Sequence, residues 1–217
     1  MSDKHRTRVF IASAVLFASA LALAPRGFGA IPKKDTWYTQ HYIIMQDFER
    51  KAYRDMSVEA RKSFQEIFWA SRTSDARAAF AARLEYVKKT FWQENKKQPW
   101  NNDRARIYLL NGNPVSIDVD QNNSWGTVGL PNDFRQPTDR TNEDVAANRA
   151  EIWTYNFDKY FIQYVFVYRQ PNQWRIQQVQ GSGSRYLGDL EEFNRTVTFG
   201  VVDPDQYRKD LDALIGK

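Results

Sequence analysis

The polar residues best suited to binding or catalysis form a short cluster near the middle of the chain, where Asp103, Arg104 and Arg106 follow Trp100. Arginine presents a planar fork of donors that matches a carboxylate or a phosphate, so Arg104 and Arg106 are candidate binding residues for an anion or a glycan. The alternative is structural: Asp103 pairs with an arginine or caps a turn and fixes a joint between helix and sheet. We favour the structural role, because half-buried Asp–Arg pairs commonly hold two elements in place.

The groups of a familiar catalytic or metal centre are scarce in this chain. It contains no Cys, which excludes a thiol nucleophile, a thiolate metal site and disulfide bonds. Outside the N-terminal 30 residues its one histidine is His41, which does not build a His-rich metal site. We therefore predict no metal, no cofactor and no catalytic residue. If the chain were a carboxylate-dependent hydrolase, Asp103 would be the first candidate.

Aromatic side chains make up 15% of the sequence, which suggests carbohydrate stacking as a function to consider. Most of them recur at the spacing of a helix or strand core, so core packing explains them. Trp125 is the exception, because it lies in a long polar segment, 121–149. Segments of this length inside a domain are uncommon and are often functional or disordered. Trp125 is therefore a candidate binding residue for a glycan.

The N-terminus has the pattern of an export signal. Basic residues precede an uncharged, mostly apolar run of 16 residues, Val9–Ala24, which is shorter than the roughly 20 residues of a membrane span. We predict a cleaved signal peptide over 1–30, with small-x-small patterns at 20–22 and 27–29 that leave the cleavage point open. The predicted location is the periplasm or cell envelope, and the missing Cys excludes a lipoprotein anchor. Membrane attachment would require that the signal segment stay uncleaved.

The net charge of the chain is concentrated in the predicted signal. The whole chain carries +5, and residues 1–30 contain four basic residues and one acidic residue, a net of +3, which leaves +2 for the remainder. A charge this small gives no argument for binding nucleic acid. We expect no nucleic-acid partner.

Before Trp100, apolar residues recur at helical spacing. They predict a helix that begins near Thr36, a second from Asp47 to Asp55, a third capped by Ser57, and a fourth capped by Ser74 or Asp75. The fourth helix carries charged residues that we expect to form a solvated face: Arg77, Arg83, Lys88, Lys89 and Glu94.

After Trp100, the pattern changes to strands and turns. Ile107–Leu110 is predicted as a strand, and Gly112 and Pro114 as the turn that follows it. Apolar and polar residues alternate over 115–120, which predicts a half-buried strand. The two strands could pair as a hairpin.

Further strands are predicted over 152–157, 160–168 and 174–180. The strand 160–168 is apolar on both faces and should be central. No helix long enough for a parallel crossover separates these strands, so the sheet should be antiparallel. A short edge strand at 197–202 and a final helix capped by Asp203 complete the predicted elements.

These patterns predict an α+β fold, in which N-terminal helices pack on a four- to five-stranded antiparallel sheet with a C-terminal helix. The predicted divisions are a signal peptide (1–30), a linker (31–36), one α+β domain (37–180) and a C-terminal extension (181–217).

Three segments occur in order along the predicted domain: Phe68–Arg72, Trp100–Pro114 and Glu151–Tyr155. Together they resemble the GWxTD domain of bacterial exported proteins over about residues 37–180, with departures at Pro99, Asn102 and Ala105. The resemblance implies an envelope location and brings no established biochemical activity. The residues that carry it, which we expect to be structural, are Phe68, Trp69, Arg72, Trp100, Asp103, Arg104, Ile107, Tyr108, Gly112, Pro114, Trp153 and Tyr155.

The function predicted from the sequence is a non-enzymatic protein-interaction module of the cell envelope. It would bind a protein partner through an exposed sheet edge or through the 121–149 segment. An alternative is an envelope glycan-binding protein that uses Trp125. A third candidate is a hydrolase with Asp103 as its carboxylate.

Overall fold

The computed structural model describes residues 35–120, 149–169, 171–177 and 186–215. It shows helices packed against a four-stranded antiparallel sheet with a helix at the C-terminal end, which confirms the predicted α+β class. The predicted signal peptide, Trp125 and almost all of the 121–149 segment lie outside the described residues. None of the helices in the described ranges combines the length and apolar character needed to cross a bilayer.

Seven α-helices and four strands are present in these ranges. The helices are α1 (Thr36–His41), α2 (Asp47–Asp55), α3 (Val58–Ala70), α4 (Ser74–Thr90), α5 (Asp103–Asn111), α6 (Leu187–Phe193) and α7 (Pro204–Ile215). The strands are β1 (Ser116–Asp120), β2 (Ala150–Phe157), β3 (Tyr160–Arg169) and β4 (Gln173–Gln177).

Side-chain caps explain where several helices begin. The Ser57 hydroxyl accepts a hydrogen bond from the Ala60 amide, as predicted for α3. Asp203 accepts from the Gln206 amide at the start of α7, also as predicted. For α4 the predicted caps, Ser74 and Asp75, are wrong by one or two residues, because the extended Thr73 precedes them and caps the helix.

The predicted strand at Ile107–Leu110 is wrong, since these residues belong to α5. Asn102 caps this helix by accepting from the Ala105 amide at 2.8 Å. All four residues of the apolar run are buried, and a short, fully buried run does not distinguish a helix from a strand. The predicted hairpin is therefore wrong as well, and β1 pairs with β2 instead.

Gly112 ends α5 in a conformation that suits glycine. Its φ is +77° and its ψ is −148°, a region that residues with a Cβ atom rarely adopt. The Tyr155 hydroxyl donates to the Gly112 carbonyl at 3.0 Å, which ties this turn to β2. A positive φ at Gly112 is consistent with the turn that the sequence predicts there.

The sheet order is β1-β2-β3-β4, and every neighbouring pair is antiparallel. A two-residue turn at Asp158 joins β2 to β3, with φ at +52°. The strand β3 is central, as predicted. On one face its side chains join the main core, and on the other Val165 and Val167 form a small second cluster with Ala150.

The C-terminal segment completes the same core. Tyr207, Leu211 and Leu214 of α7 pack with residues from α2 to α5 and from the sheet. The edge strand predicted at 197–202 is wrong. Asn194–Thr198 instead continues α6 as a π-helical turn, in which the Phe199 amide bonds to the Asn194 carbonyl.

Candidate functional site

Arg104 is held by two carboxylates at the junction of α5 with the sheet. Its Nε and Nη2 donate to Oε1 of Glu94 at 2.9 and 2.6 Å, and its Nη1 donates to Oε2 of Glu151 at 2.7 Å. The Glu94 side chain is only 3% exposed. Charge-assisted bonds of this kind fix the guanidinium in one position. The guanidinium donors of Arg104 are therefore engaged by Glu94 and Glu151 within the protein.

Two aromatic rings lie near the same guanidinium. Its central carbon lies 4.5 Å from the ring centroid of Trp174 and 5.0 Å from that of Phe91. Burial raises the pKa of Glu94, and the charge of Arg104 opposes that shift. The arrangement is a packed joint with little room for an external anion.

Arg106 does not join Arg104 in a common site. It is exposed on α5, and its Nη2 donates to Oδ1 of Asn101 at 2.6 Å. Residues two apart on a helix point in different directions. The structure therefore does not bring together the two arginines that were predicted as binding residues, and Trp125 lies outside the described residues.

The solvated face predicted for the fourth helix is wrong at two positions. Arg83 is partly buried and donates to the carbonyls of Leu109 and Leu110 at 3.0 and 2.6 Å, where α5 ends. Cationic side chains satisfy free carbonyls at the end of a helix in this way. The second position is Glu94, which lies beyond the end of α4 and binds Arg104.

Asp103 has the structural role favoured by the sequence. Its Oδ2 accepts a hydrogen bond from the Ile176 amide of β4 at 3.0 Å, and Arg175 lies 3.8 Å from Oδ1. Glu94 acts in the same way, because its Oε2 accepts from the Trp174 amide at 3.3 Å. Two carboxylates from the helical layer thus occupy the outward amides of β4. This edge of the sheet is closed to another strand.

The opposite edge, at β1, is different. Backbone groups in an antiparallel strand face the neighbouring strand and the outside in alternation. The Tyr168 amide donates to the Arg149 carbonyl at 2.8 Å, so odd-numbered residues of β2 face β3 and even-numbered residues face β1. The partners of those even-numbered residues are the even-numbered residues of β1. The backbone groups of Ile117 and Val119 therefore point away from the sheet.

The apolar side chains of β1 are also accessible. Val115, Ile117 and Val119 are 63%, 50% and 53% exposed, so the predicted strand is confirmed but its predicted half-burial is wrong. Ile117 shares a sheet face with the buried Trp153, and the main core does not extend as far as β1. In the described part of the chain, β1 hydrogen-bonds to no strand except β2.

Arg72 forms the most deeply buried ion pair in the described ranges. It donates to Glu49 at 2.5 Å, and neither side chain has exposed surface. Arg72 also bonds to the carbonyls of Phe68 and Phe199, and the Tyr207 hydroxyl donates to Glu49 at 2.7 Å. The pair joins α2, α3, α7 and the π-helical turn.

The other residues of the resemblance also hold elements together. The Trp100 Nε1 donates to Thr39 of α1 at 3.1 Å, and the Trp153 Nε1 donates to Glu151 at 3.1 Å. Phe68, Ile107 and Tyr108 lie in the core, and Trp69 packs against it. This set positions α5 and β2.

A cleft of about 590 Å³ lies between the start of β1, the β2–β3 turn and α6. No local sequence pattern points to this cleft, because its lining residues come from distant parts of the chain. Its lining includes Asn111, Asn113, Asn156, Asn194, Phe157 and Phe193.

Titratable groups outside these sites show no metal-binding arrangement. Within the described ranges, no group of three or more His, Cys, Asp or Glu side chains is placed to hold a metal ion. His41 is buried, and its Nδ1 lies 2.7 Å from the Trp37 carbonyl. Burial lowers the pKa of His41 to about 4.

Comparison of the chain with protein-family models, with curated proteins and with solved structures finds no match. The resemblance to the GWxTD domain therefore stays a sequence-based prediction.

Proposed function

We propose that this chain is a non-enzymatic protein-interaction module of the cell envelope, and that it binds an extended segment of a partner protein along β1. The observation that carries the proposal is the difference between the two edges of the sheet. At β4, Glu94 and Asp103 occupy the outward amides, whereas at β1 the outward backbone groups belong to exposed residues. A peptide that pairs with β1 would extend the sheet by one strand.

The chemistry of β1 defines the partner segment. Ile117 and Val119 present apolar side chains on one face, and Asp118 and Asp120 lie on the other. A fitting segment alternates apolar and basic residues, because cross-strand neighbours of opposite charge stabilise a sheet. Main-chain hydrogen bonds would supply affinity, and the alternating side chains would supply specificity.

A second copy of this chain is a poorer occupant of the same edge. An antiparallel pairing of two β1 strands around a twofold axis would place the aspartates of both copies on one sheet face. Like charges in neighbouring strands are destabilising. We therefore propose a heterologous partner.

The envelope location rests on the N-terminal pattern of basic residues followed by an uncharged run, and on the resemblance to exported proteins. It is tested by N-terminal sequencing of the protein purified from the envelope fraction. A mature N-terminus within about ten residues of position 30 supports export. An intact Met1 in the cytoplasmic fraction contradicts it.

The structure does not favour the hydrolase alternative, because its candidate carboxylate, Asp103, binds the edge strand β4. Asp103 accepts the Ile176 amide and lies near Arg175, which leaves it little freedom to act on a substrate.

Site-specific photo-crosslinking in the native cell tests the binding edge. A photoreactive residue replaces Ile117 in the full chain, and the matched control replaces Ile176, which is similarly exposed (43% against 50%) but lies on the closed edge. We expect the Ile117 position to crosslink one protein, and mass spectrometry of the crosslinked peptide to show alternating apolar and basic residues. Equal crosslinking at both positions, or a crosslinked segment of another character, contradicts the proposal.

A second pair of variants tests the same edge by mutation. Ile117→Lys places a charge against the apolar residues of the partner strand, and charged residues on an edge discourage strand pairing. It should abolish the crosslink formed by a photoreactive residue at Val119. Ile176→Lys on β4 should leave that crosslink intact.

A further inference from the structure

The cleft between the β2–β3 turn and α6 has the dimensions of a ligand site. Its volume of about 590 Å³ lies within the range of small-molecule pockets. One wall is formed by Phe157 and Asp158 at the end of β2, and the other by Phe193 and Asn194. The turn after α5 forms its base, with Asn111 and Asn113.

Internal hydrogen bonds hold two of the cleft's amides in fixed positions. Asn111 donates to the Tyr164 hydroxyl at 3.1 Å and accepts from Asn194 at 2.8 Å. Tyr164 in turn donates to Glu191 at 3.2 Å, and Glu191 binds Arg195 at 3.0 Å. The network therefore gives the cleft a rigid polar wall before any ligand arrives.

Two other amides supply groups that can reach a ligand. Asn156 is exposed, and its side chain makes no hydrogen bond within the described part of the chain. Asn113 accepts from the Tyr108 hydroxyl through Oδ1, and its NH₂ group bonds to no described residue. An asparagine amide offers both donors and acceptors, as a sugar hydroxyl group requires.

The aromatic part of the cleft is a ring pair. Phe193 is 47% exposed and packs edge-on against Phe157, with centroids 5.6 Å apart. An exposed aromatic ring offers a flat apolar surface next to the amides. A pyranose ring combines hydroxyl groups with an apolar face and fits this juxtaposition.

Other classes of ligand fit the cleft less well. Among the residues that the structure describes, no Lys or Arg lines the cleft, and the nearby Arg195 is engaged by Glu191 and the Ile43 carbonyl, so a phosphate or other anion lacks a partner there. A lone carboxylate, Asp158, does not hold a metal ion. The four amides disfavour a purely apolar ligand.

We infer that this cleft binds an uncharged saccharide, which stacks on Phe193 and hydrogen-bonds to Asn156 and Asn113. The cleft reaches Val115 at the start of β1 but does not include Ile117 or Val119, whose backbone groups form the outward edge.

Isothermal titration of the full chain with two soluble probes, maltotetraose and chitotetraose, tests the inference at millimolar saccharide. We expect at least one of them to bind, with an affinity that added salt does not change, because no ion pair forms. Phe193→Ala should weaken binding about tenfold, and Asn156→Ala roughly three- to tenfold.

The matched control is Phe48→Ala, because Phe48 is 46% exposed but lines two grooves beside α7. It should leave the affinity unchanged. Thermal unfolding of each variant shows whether it keeps the fold. If neither saccharide binds, if the Phe193→Ala/Asn156→Ala double variant binds as the parent does, or if Phe48→Ala alone weakens binding, the inference is wrong.

Discussion

At the scale of single residues, Arg72 and Glu49 form an ion pair in which neither side chain has exposed surface. Each charge has been removed from water, which is costly unless hydrogen bonds compensate it. Here Arg72 makes bonds to two carbonyls as well as to Glu49, and Glu49 accepts from Tyr207 and from the Gln46 amide. These bonds therefore offset most of the cost of burying the two charges. Removal of one partner would leave the other charge buried and unpaired.

The variant Arg72→Met should lower the free energy of unfolding by about 3–5 kcal/mol, because it leaves a buried carboxylate without its cation. Urea denaturation measures this change. Arg77→Met, on the exposed side of α4, should change stability by less than about 0.5 kcal/mol. If Arg72→Met costs no more than this control, Arg72 does not hold the elements together as described.

His41 gives the structure a pH dependence with a definite sign. Its pKa falls from an ordinary value of about 6.5 in the unfolded chain to about 4 in the fold, mainly through burial. The hydrogen bond with the Trp37 carbonyl opposes this shift, the charge of Arg72 adds to it, and the charge of Asp35 opposes it. Between these values the unfolded state binds more protons, so acid favours unfolding. The stability that the fold gains from keeping His41 neutral is fully present above pH 6.5 and is lost as the pH falls towards 4.

We expect the parent chain to lose about 3 kcal/mol more stability between pH 7 and pH 4 than the variant His41→Phe, which keeps a ring beside Trp37. Urea unfolding of both proteins across that interval measures the difference, and carboxylates elsewhere cancel in the comparison. Identical slopes would mean that His41 titrates normally in the fold.

At the scale of elements, the path of the chain from the helices to the sheet depends on how α5 ends. Gly112 redirects the chain from α5 towards β1, and a Cβ atom there would lie 2.9 Å from Nη2 of Arg83. That guanidinium bonds to the last carbonyls of α5, so it has little freedom to retreat.

Gly112→Ala should therefore destabilise the chain by about 2–3 kcal/mol, through backbone strain and displacement of Arg83. Gly188 in α6 is the matched control, because a Cβ atom there would meet nothing within 4 Å. Gly188→Ala should be neutral or stabilising by up to about 1 kcal/mol, since alanine favours a helix. Equal thermal shifts for the two variants would contradict the described turn.

The sequence predicted those elements whose signals are local. Ser57 and Asp203 cap helices that begin where expected. The short connections between the strands predicted an antiparallel sheet, and the two apolar faces of 160–168 predicted that β3 is central. The sequence-based prediction failed at Ile107–Leu110, where a short apolar run lies in α5, and at 197–202, where the β-branched Val197 and Thr198 lie in the π-helical turn. Tertiary packing decides such segments, and a single sequence does not contain it in readable form.

Functional residues were harder to predict for the same reason. Arg104 was singled out by type, but its partners Glu94 and Glu151 lie 10 and 47 residues away, so its engagement inside the protein was not visible. The exposure of β1 depends on the extent of the helical layer, which does not pack against this strand. The amide cleft depends on the meeting of α5, β2 and α6.

At the scale of the whole molecule, one core unites the helices, the sheet and the C-terminal segment, and it leaves the sheet asymmetric. Carboxylates from the helical layer close the β4 edge, while β1 lies beyond that layer. Natural sheets usually protect a free edge from pairing. Within the described residues β1 lacks such protection, and this open edge supports the proposed binding function.

Amide hydrogen exchange, followed by NMR on the isolated full chain, tests this asymmetry most directly. We predict that the Trp174 and Ile176 amides exchange at least about 100-fold more slowly than the Ile117 and Val119 amides, because carboxylates accept the first pair and nothing in the sheet accepts the second. Asp103→Ala, which removes the acceptor, should accelerate exchange at Ile176 and leave Ile117 unchanged. If the Ile117 and Val119 amides prove as protected as those of β4, the edge is already occupied and the account is wrong.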